Sequence, residues 1–156
     1  MKAIQFYGKN DYALTDVAKP EIGDGELLLK VKAAAICGSD LRMIQNGYQG
    51  VTKETPRIYG HEISGIIEQA GKAVIGYEPG MTVAIAPNMG CGTCDACVSG
   101  NTHLCREYRA FGINMDGGFA EYVVIPEAAV RQGNVVKIEI DGDMTFEKAA
   151  VLEPLS

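Results

Sequence analysis

The sequence predicts a mainly β domain, a barrel or sandwich with a few short helices. Short apolar runs rich in Ile and Val recur along the chain, and each is bounded by glycine or proline. Short strands at near-regular spacing, with turn residues between them, are typical of all-β architectures. With 156 residues and 47% hydrophobic content, the chain can bury one substantial core. We therefore expect a single domain over residues 1–156.

Six strands and two helical segments are predicted from these runs. The strands cover residues 1–8, 12–17, 26–35, 60–70, 81–87 and 119–125. Turns are expected at 8–11 and 20–25, where glycine and proline gather. A helix is predicted over 39–45 after a Ser/Asp cap, and a second over 145–152 after Thr145.

The composition argues against several classes of partner. A net charge of −6, with no cluster of Lys and Arg, disfavours nucleic acid. Residues 1–10 lack the apolar segment of a signal peptide, and no apolar run approaches the length of a membrane span. Five cysteines without a secretory signal favour a reducing compartment, so we expect a cytoplasmic protein whose thiolates hold metal.

Four cysteines spaced C-x2-C-x2-C-x7-C form the strongest motif of the chain. They are Cys91, Cys94, Cys97 and Cys105. Two C-x-x-C steps place three sulfurs around one ion, which is typical of a closed tetrahedral zinc site. Two disulfides or a redox pair are alternatives, although the two-residue gaps make poor disulfide geometry. An iron–sulfur cluster ranks below zinc, because the fourth cysteine comes later than in the ferredoxin run and no proline follows it.

A second group of potential metal ligands is dispersed along the chain. Cys37 directly follows the strand 26–35, and His61 and Glu62 begin the strand 60–70. A Cys, a His and a carboxylate at strand ends suit an open zinc site, with a position left for water or substrate. Glu62 and Glu153 are the available carboxylates. Taken singly, Cys37 is more simply a small buried side chain and His61 an ordinary half-buried histidine.

Five motifs occur in order along the chain. They are CGSD at 37–40, GHEISG at 60–65 with Gly71 and Val74 after it, the four-cysteine lobe at 88–109, DGGFAEY at 116–122, and EPL at 153–155. In kind and order they resemble the motifs of the catalytic domain of zinc-dependent medium-chain alcohol dehydrogenases. The resemblance implies a GroES-like β-barrel with a structural zinc lobe.

The same resemblance implies that residues 145–156 begin the connection to a nucleotide-binding domain. No G-x-G-x-x-G motif follows a strand in this chain. We therefore expect the Rossmann domain that binds the cofactor to be absent from it, as in a truncated longer protein.

Site residues follow from the resemblance position by position. Cys37 and His61 are implied to bind a catalytic zinc, and the four-cysteine lobe a structural zinc, giving two zinc ions per chain. The remaining ligand of the catalytic zinc is a carboxylate. Glu62 or Glu153 matches it, the latter directly or through water, and the choice between them stays open.

Two further residues have implied roles beside the metal. Ser39 matches the hydroxyl that relays the substrate proton. Asp40 matches the carboxylate that orients the ligand histidine, and a zinc-bound imidazole does need an acceptor for its other N–H. A helix N-cap is the alternative role for Asp40.

The implied activity is hydride transfer between a secondary alcohol and NAD or NADP, in which zinc activates the alcohol oxygen. The polyol branch of the family, which acts on sorbitol, butanediol or hexitol phosphates, comes first, with L-threonine 3-dehydrogenase close behind. A homodimer or homotetramer is implied for the full-length protein. The alternative from another class is a non-catalytic, zinc-stabilised interaction module. By itself, the chain is expected to bind zinc without turnover.

Overall fold

A computed structural model describes residues 1–155. Its strands are β1 (Lys2–Gly8), β2 (Asp11–Asp16), β3 (Leu27–Ala35), β4 (Arg57–Ile58), β5 (Glu62–Ala70), β6 (Thr82–Ile85), β7 (Asn88–Met89), β8 (Arg109–Ala110), β9 (Tyr122–Ile125) and β10 (Val135–Lys137). The helices are α1 (Gly38–Asn46), α2 (Asp95–Val98), α3 (Glu127–Arg131) and α4 (Phe146–Ala150), with 3-10 turns at Thr102–Leu104 and Glu153–Leu155. The predicted mainly β class is confirmed.

The strands form antiparallel sheets around a pair of long central strands. The largest sheet has the order β10-β6-β5-β3-β9, and a second sheet has the order β2-β1-β4. The short pair β7-β8 flanks the four-cysteine lobe. Strands β3 and β5 pair from Leu27 opposite Ala70 to Ala35 opposite Glu62. This register brings the end of β3 and the start of β5 to one edge of the sheet.

Two groups of buried side chains form the core. The larger group lies on the five-stranded sheet, whose buried residues are mostly Leu, Ile and Val, as strand propensity predicts. The smaller group joins β1 to α1 and contains Phe6, Met43, Val51 and Tyr59. Helix α1, which begins shortly after β3, therefore packs on this smaller core.

The predicted strands and helices agree with the structure to within a few residues. The two- and three-residue strands and the helices α2 and α3 were not predicted, because such short segments carry no periodic pattern. The predicted Ser/Asp cap of α1 is wrong, since Cys37 occupies the N-cap and Asp40 the third helical position. The predicted Thr145 cap is confirmed: its Oγ1 accepts the N–H of Lys148 at 3.3 Å.

In the part of the chain that the structure describes, we find no helix with both the length and the apolar character that crossing a membrane requires. Ser156, the last residue of the predicted connecting segment 145–156, lies outside the described residues.

Candidate metal centres

The pairing of β3 with β5 builds the first candidate centre. Because Ala35 lies opposite Glu62, the residues beyond these strand ends come together at the same edge. Ligand atoms of Cys37, His61 and Glu62 all lie within 4.8 Å of one another. A thiol, an imidazole and a carboxylate are all zinc ligands. The structure thus brings together three of the residues that the sequence singled out.

The centre is closed on one side and open on the other. His61 and Glu62 are each only 5% exposed, whereas Cys37 is half-buried. Ser39, also half-buried, places its Oγ 3.3 Å from Nε2 of His61. An open side is required of a catalytic zinc site, which keeps a coordination position for substrate.

Asp40 connects the first two predicted ligands. Its Oδ2 accepts the backbone N–H of Cys37 at 2.9 Å, and its Oδ1 lies 3.7 Å from Nδ1 of His61. Asp40 is fully buried, and within residues 1–155 neither Oδ1 nor the facing Nδ1 has a hydrogen-bond partner. A metal on Nε2 places the ring proton on Nδ1, which then needs an acceptor on that side. The donor set and this carboxylate therefore fit a zinc ion.

The segment before His61 is held by residues 117–119. Their three backbone N–H groups donate to the carbonyl oxygens of residues 58, 60 and 59 at 2.8 to 2.9 Å. Gly60 has a φ of +91°, and a Cβ on Gly117 would lie 2.0 Å from the carbonyl oxygen of Gly60. Only glycine permits this approach. This support was not predicted from the sequence, although adjacent glycines before a strand indicate close backbone contact.

Glu153 lies outside the Cys37, His61 and Glu62 cluster. It begins the 3-10 turn Glu153–Leu155 and lines an apolar cleft together with Val136, Ala149 and Leu152. Its role as a direct or water-mediated zinc ligand therefore stays a prediction.

The four-cysteine lobe forms the second candidate centre. Its sulfurs all lie within 4.8 Å of one another, and Sγ of Cys94 lies 3.8 Å from Sγ of Cys105. A tetrahedron with Zn–S bonds of about 2.3 Å has edges of about 3.8 Å. Both sulfurs belong to free cysteines, as do the other three of the chain. A [4Fe–4S] cluster, which binds each thiolate to a separate iron, would hold the sulfurs farther apart.

Backbone N–H groups already point at the lobe sulfurs. Sγ of Cys105 accepts from the N–H groups of Cys91 and Glu107, both at 3.3 Å. Hydrogen bonds from Thr93 and Cys94 lower the pKa of the Cys91 thiol to about 6. Such bonds stabilise thiolate, the form that binds metal.

The pKa of the Cys97 thiol shifts in the opposite direction. A hydrogen bond from the Gly92 backbone lowers its pKa, but burial and the neighbouring thiols of Cys94, Cys105 and Cys91 raise it to about 12. Crowded sulfurs do not all ionise without a compensating cation. The lobe therefore favours a cation at its centre.

Comparison with known proteins identifies the family to which this fold belongs. Residues 23–138 match the family model of the alcohol dehydrogenase GroES-like domain. The chain belongs to this family. The resemblance drawn from the five sequence motifs and the GroES-like fold it implied are thereby confirmed.

The related proteins are much longer than the region that matches this chain. L-threonine 3-dehydrogenase of Idiomarina loihiensis is 37% identical over 156 residues, which are 99% of this chain and 44% of the relative. Galactitol-1-phosphate dehydrogenase of Escherichia coli superposes with a TM-score of 0.86 at 34% identity, covering 99% of this chain and 42% of that one. A dehydrogenase of Sinorhizobium meliloti 1021 bound to NADP superposes with a TM-score of 0.85 at 37% identity, and the covered shares of the two chains are again 99% and 42%. The chain spans less than half the length of these relatives.

Proposed function

We propose that this chain is the metal-binding catalytic domain of a zinc-dependent dehydrogenase. The reaction is hydride transfer between a secondary alcohol, such as a polyol, diol or sugar alcohol, and NAD or NADP. The convergence of Cys37, His61 and Glu62 at a half-open sheet edge carries the proposal. Similarity to galactitol-1-phosphate dehydrogenase supports the substrate class, and the NADP-bound relative supports the cofactor class.

Each side chain has a role in this reaction. Cys37, His61 and Glu62 would hold the zinc ion, which would supply a Lewis acid for the alcohol oxygen. Asp40 fixes the tautomer of His61 by accepting its Nδ1 proton. Ser39 Oγ stands beside the ring on the open side, so it accepts the alcohol proton and passes it to water.

The remaining parts of the proposal concern organisation. Residues 88–109 form a lobe whose zinc is structural, since four thiolates complete a tetrahedron and leave no position for substrate. Residues 145–156 begin the connection to a nucleotide-binding domain. A cytoplasmic location remains a prediction from the cysteines and the lack of a signal peptide, and a dimer or tetramer of the full-length protein remains a prediction from the family resemblance.

Metal content tests the catalytic role against the alternative of an interaction module. We expect two zinc ions per chain, and His61→Ala should remove one of them while the folded state is retained. One zinc ion in the unsubstituted chain, with His61→Ala unchanged, would favour the interaction module. Hydride transfer itself is measured on the full-length protein, with a panel of alcohols and both nicotinamide cofactors.

L-threonine is a second candidate substrate. The observation that favours it is the 37% identity to an L-threonine 3-dehydrogenase over 99% of this chain. The same panel separates the candidates, because the preferred substrate has the higher kcat/KM. A preference for L-threonine over every polyol would replace the polyol assignment without affecting the metal site.

A further inference from the structure

Four buried side-chain nitrogen and oxygen atoms have no hydrogen-bond partner among residues 1–155. They are Oδ1 of Asp40, Nδ1 of His61, the hydroxyl oxygen of Tyr59 and Nε of Arg57. The first two face each other beside the candidate metal centre. The other two belong to the same segment, 57–61, but the proposed function gives them no role. Buried polar atoms without partners are rare in folded proteins, so both require an explanation.

Tyr59 packs against the helix face that carries Asp40. Its side chain is completely buried, and its ring stacks on that of Phe6 with centroids 4.0 Å apart. Met43 of α1 belongs to the same apolar group. Because Asp40 and Met43 are three residues apart on α1, they share one face of the helix. The ring of Tyr59 therefore lies on the Asp40 side of α1.

Both the Arg57 guanidinium and the Asp40 carboxylate act electrostatically on the Tyr59 hydroxyl. Each of them also carries a buried polar atom that lacks a hydrogen-bond partner among residues 1–155. In that setting a phenol accepts from the guanidinium and donates to the carboxylate.

We propose that Tyr59 is a positioning residue for the Cys37, His61 and Glu62 centre, linked by ordered water to Oδ1 of Asp40 and to Nε of Arg57. A carboxylate oxygen accepts two hydrogen bonds, so Oδ1 serves His61 and Tyr59 together. Enclosed polar groups that do not touch are commonly joined by a buried water. The inference rests on the proposed function only in taking this centre as the zinc site.

The test compares Tyr59→Phe with Tyr12→Phe. Both remove one hydroxyl from a ring that contacts Phe6, but Tyr12 is 57% exposed and lies outside the apolar group of Tyr59. Zinc affinity is measured by chelator competition, and the absorption spectrum is recorded with Co²⁺. Cys37→Ser, which should bind metal only at the four-cysteine lobe, supplies the reference affinity and spectrum for the lobe.

Tyr59→Phe should weaken zinc binding at the Cys37 centre by about 10-fold, as expected for loss of support behind a ligand. The substitution should also change the Co²⁺ spectrum of that centre. The zinc affinity of the four-cysteine lobe and the melting temperature should stay unchanged. Tyr12→Phe should match the unsubstituted chain. Native affinity in Tyr59→Phe would overturn the proposal. So would equal weakening of both centres with a lower melting temperature, because that result indicates packing alone.

A second measurement does not depend on metal. In the zinc-free chain, the hydroxyl proton of Tyr59 should exchange slowly enough to appear in the proton NMR spectrum, and Asp40→Asn should shift it. An absent signal, or one that Asp40→Asn leaves in place, contradicts the link to Asp40. If the unsubstituted chain binds only one zinc ion, the proposed function fails, while the NMR result still decides whether Tyr59 and Asp40 are coupled.

Discussion

Oδ1 of Asp40 lies 3.7 Å from Nδ1 of His61, while the other oxygen of the same carboxylate accepts the N–H of Cys37. One buried side chain therefore contacts the backbone of one predicted zinc ligand and faces the ring of the next. This arrangement follows from where α1 begins. With Cys37 at the N-cap, the third helical residue turns back to the cap N–H, as in a capping box.

Asp40→Asn should weaken zinc binding at the Cys37 centre by about 10- to 100-fold, because the amide removes the negative charge that supports the His61 imidazole. Binding at the four-cysteine lobe should not change. Chelator competition on the purified chain measures both affinities. Asp16→Asn is the matched control, since Asp16 is exposed and its carboxylate pairs with Lys2 at the surface. Equal zinc affinity in the two variants would show that Asp40 does not support the metal.

Cys97→Ser and Cys37→Ser should each remove one zinc ion, but a different one. Loss of the lobe ion should lower the melting temperature by more than about 4 °C, corresponding to at least about 1 kcal/mol. Loss of the Cys37 ion should have a smaller effect, because β3 and β5 hold that edge without it. Elemental analysis gives the metal content and calorimetry the melting temperature. The reverse order of stability would contradict the structural assignment of the lobe ion.

Gly117→Ala should destabilise the fold by about 1–3 kcal/mol or more, because the new Cβ would lie 2.0 Å from the carbonyl oxygen of Gly60. That backbone precedes His61, so zinc binding at the Cys37 centre should weaken as well. Urea denaturation measures the stability. Gly23→Ala is the control, since its Cβ would meet only the flexible Glu26 side chain at 3.4 Å and should change stability by less than about 0.5 kcal/mol. Similar losses in both variants would contradict the close contact.

The sequence pattern was sufficient for the long strands, whereas the first centre was predicted only with the family resemblance. Apolar runs bounded by glycine predicted β3 and β5, and residue type made Cys37, His61 and Glu62 candidate ligands, which the resemblance then assigned to zinc. Local pattern is informative here because each candidate ligand stands beside a strong strand. The register that places Ala35 opposite Glu62 then brings the candidate ligands together.

Contacts between distant segments were beyond the sequence pattern. Neither the support of residues 58–60 by residues 117–119 nor the packing of Tyr59 on Phe6 has a periodic signal. Both depend on how loops cross in space, which local propensity does not encode. The cap of α1 was misassigned for a related reason. Ser39 and Asp40 have favourable capping side chains, yet the end of β3 fixes where the chain turns into the helix.

Ser64→Ala should undock α4 from the central sheet. Ser64 is fully buried in β5, and its Oγ donates to the carbonyl oxygen of Phe146, the first residue of α4, at 2.6 Å. Loss of this bond should cost about 1 kcal/mol in the free energy of unfolding. It should also speed amide hydrogen exchange in α4 more than in β5. Ser99→Ala is the control, because that exposed hydroxyl donates to the carbonyl oxygens of Asp95 and Ala96 and accepts from Asn101, all within the four-cysteine lobe. Since α4 leads directly to Glu153, uniform exchange in both variants would show that the Ser64 bond does not set the position of this predicted ligand.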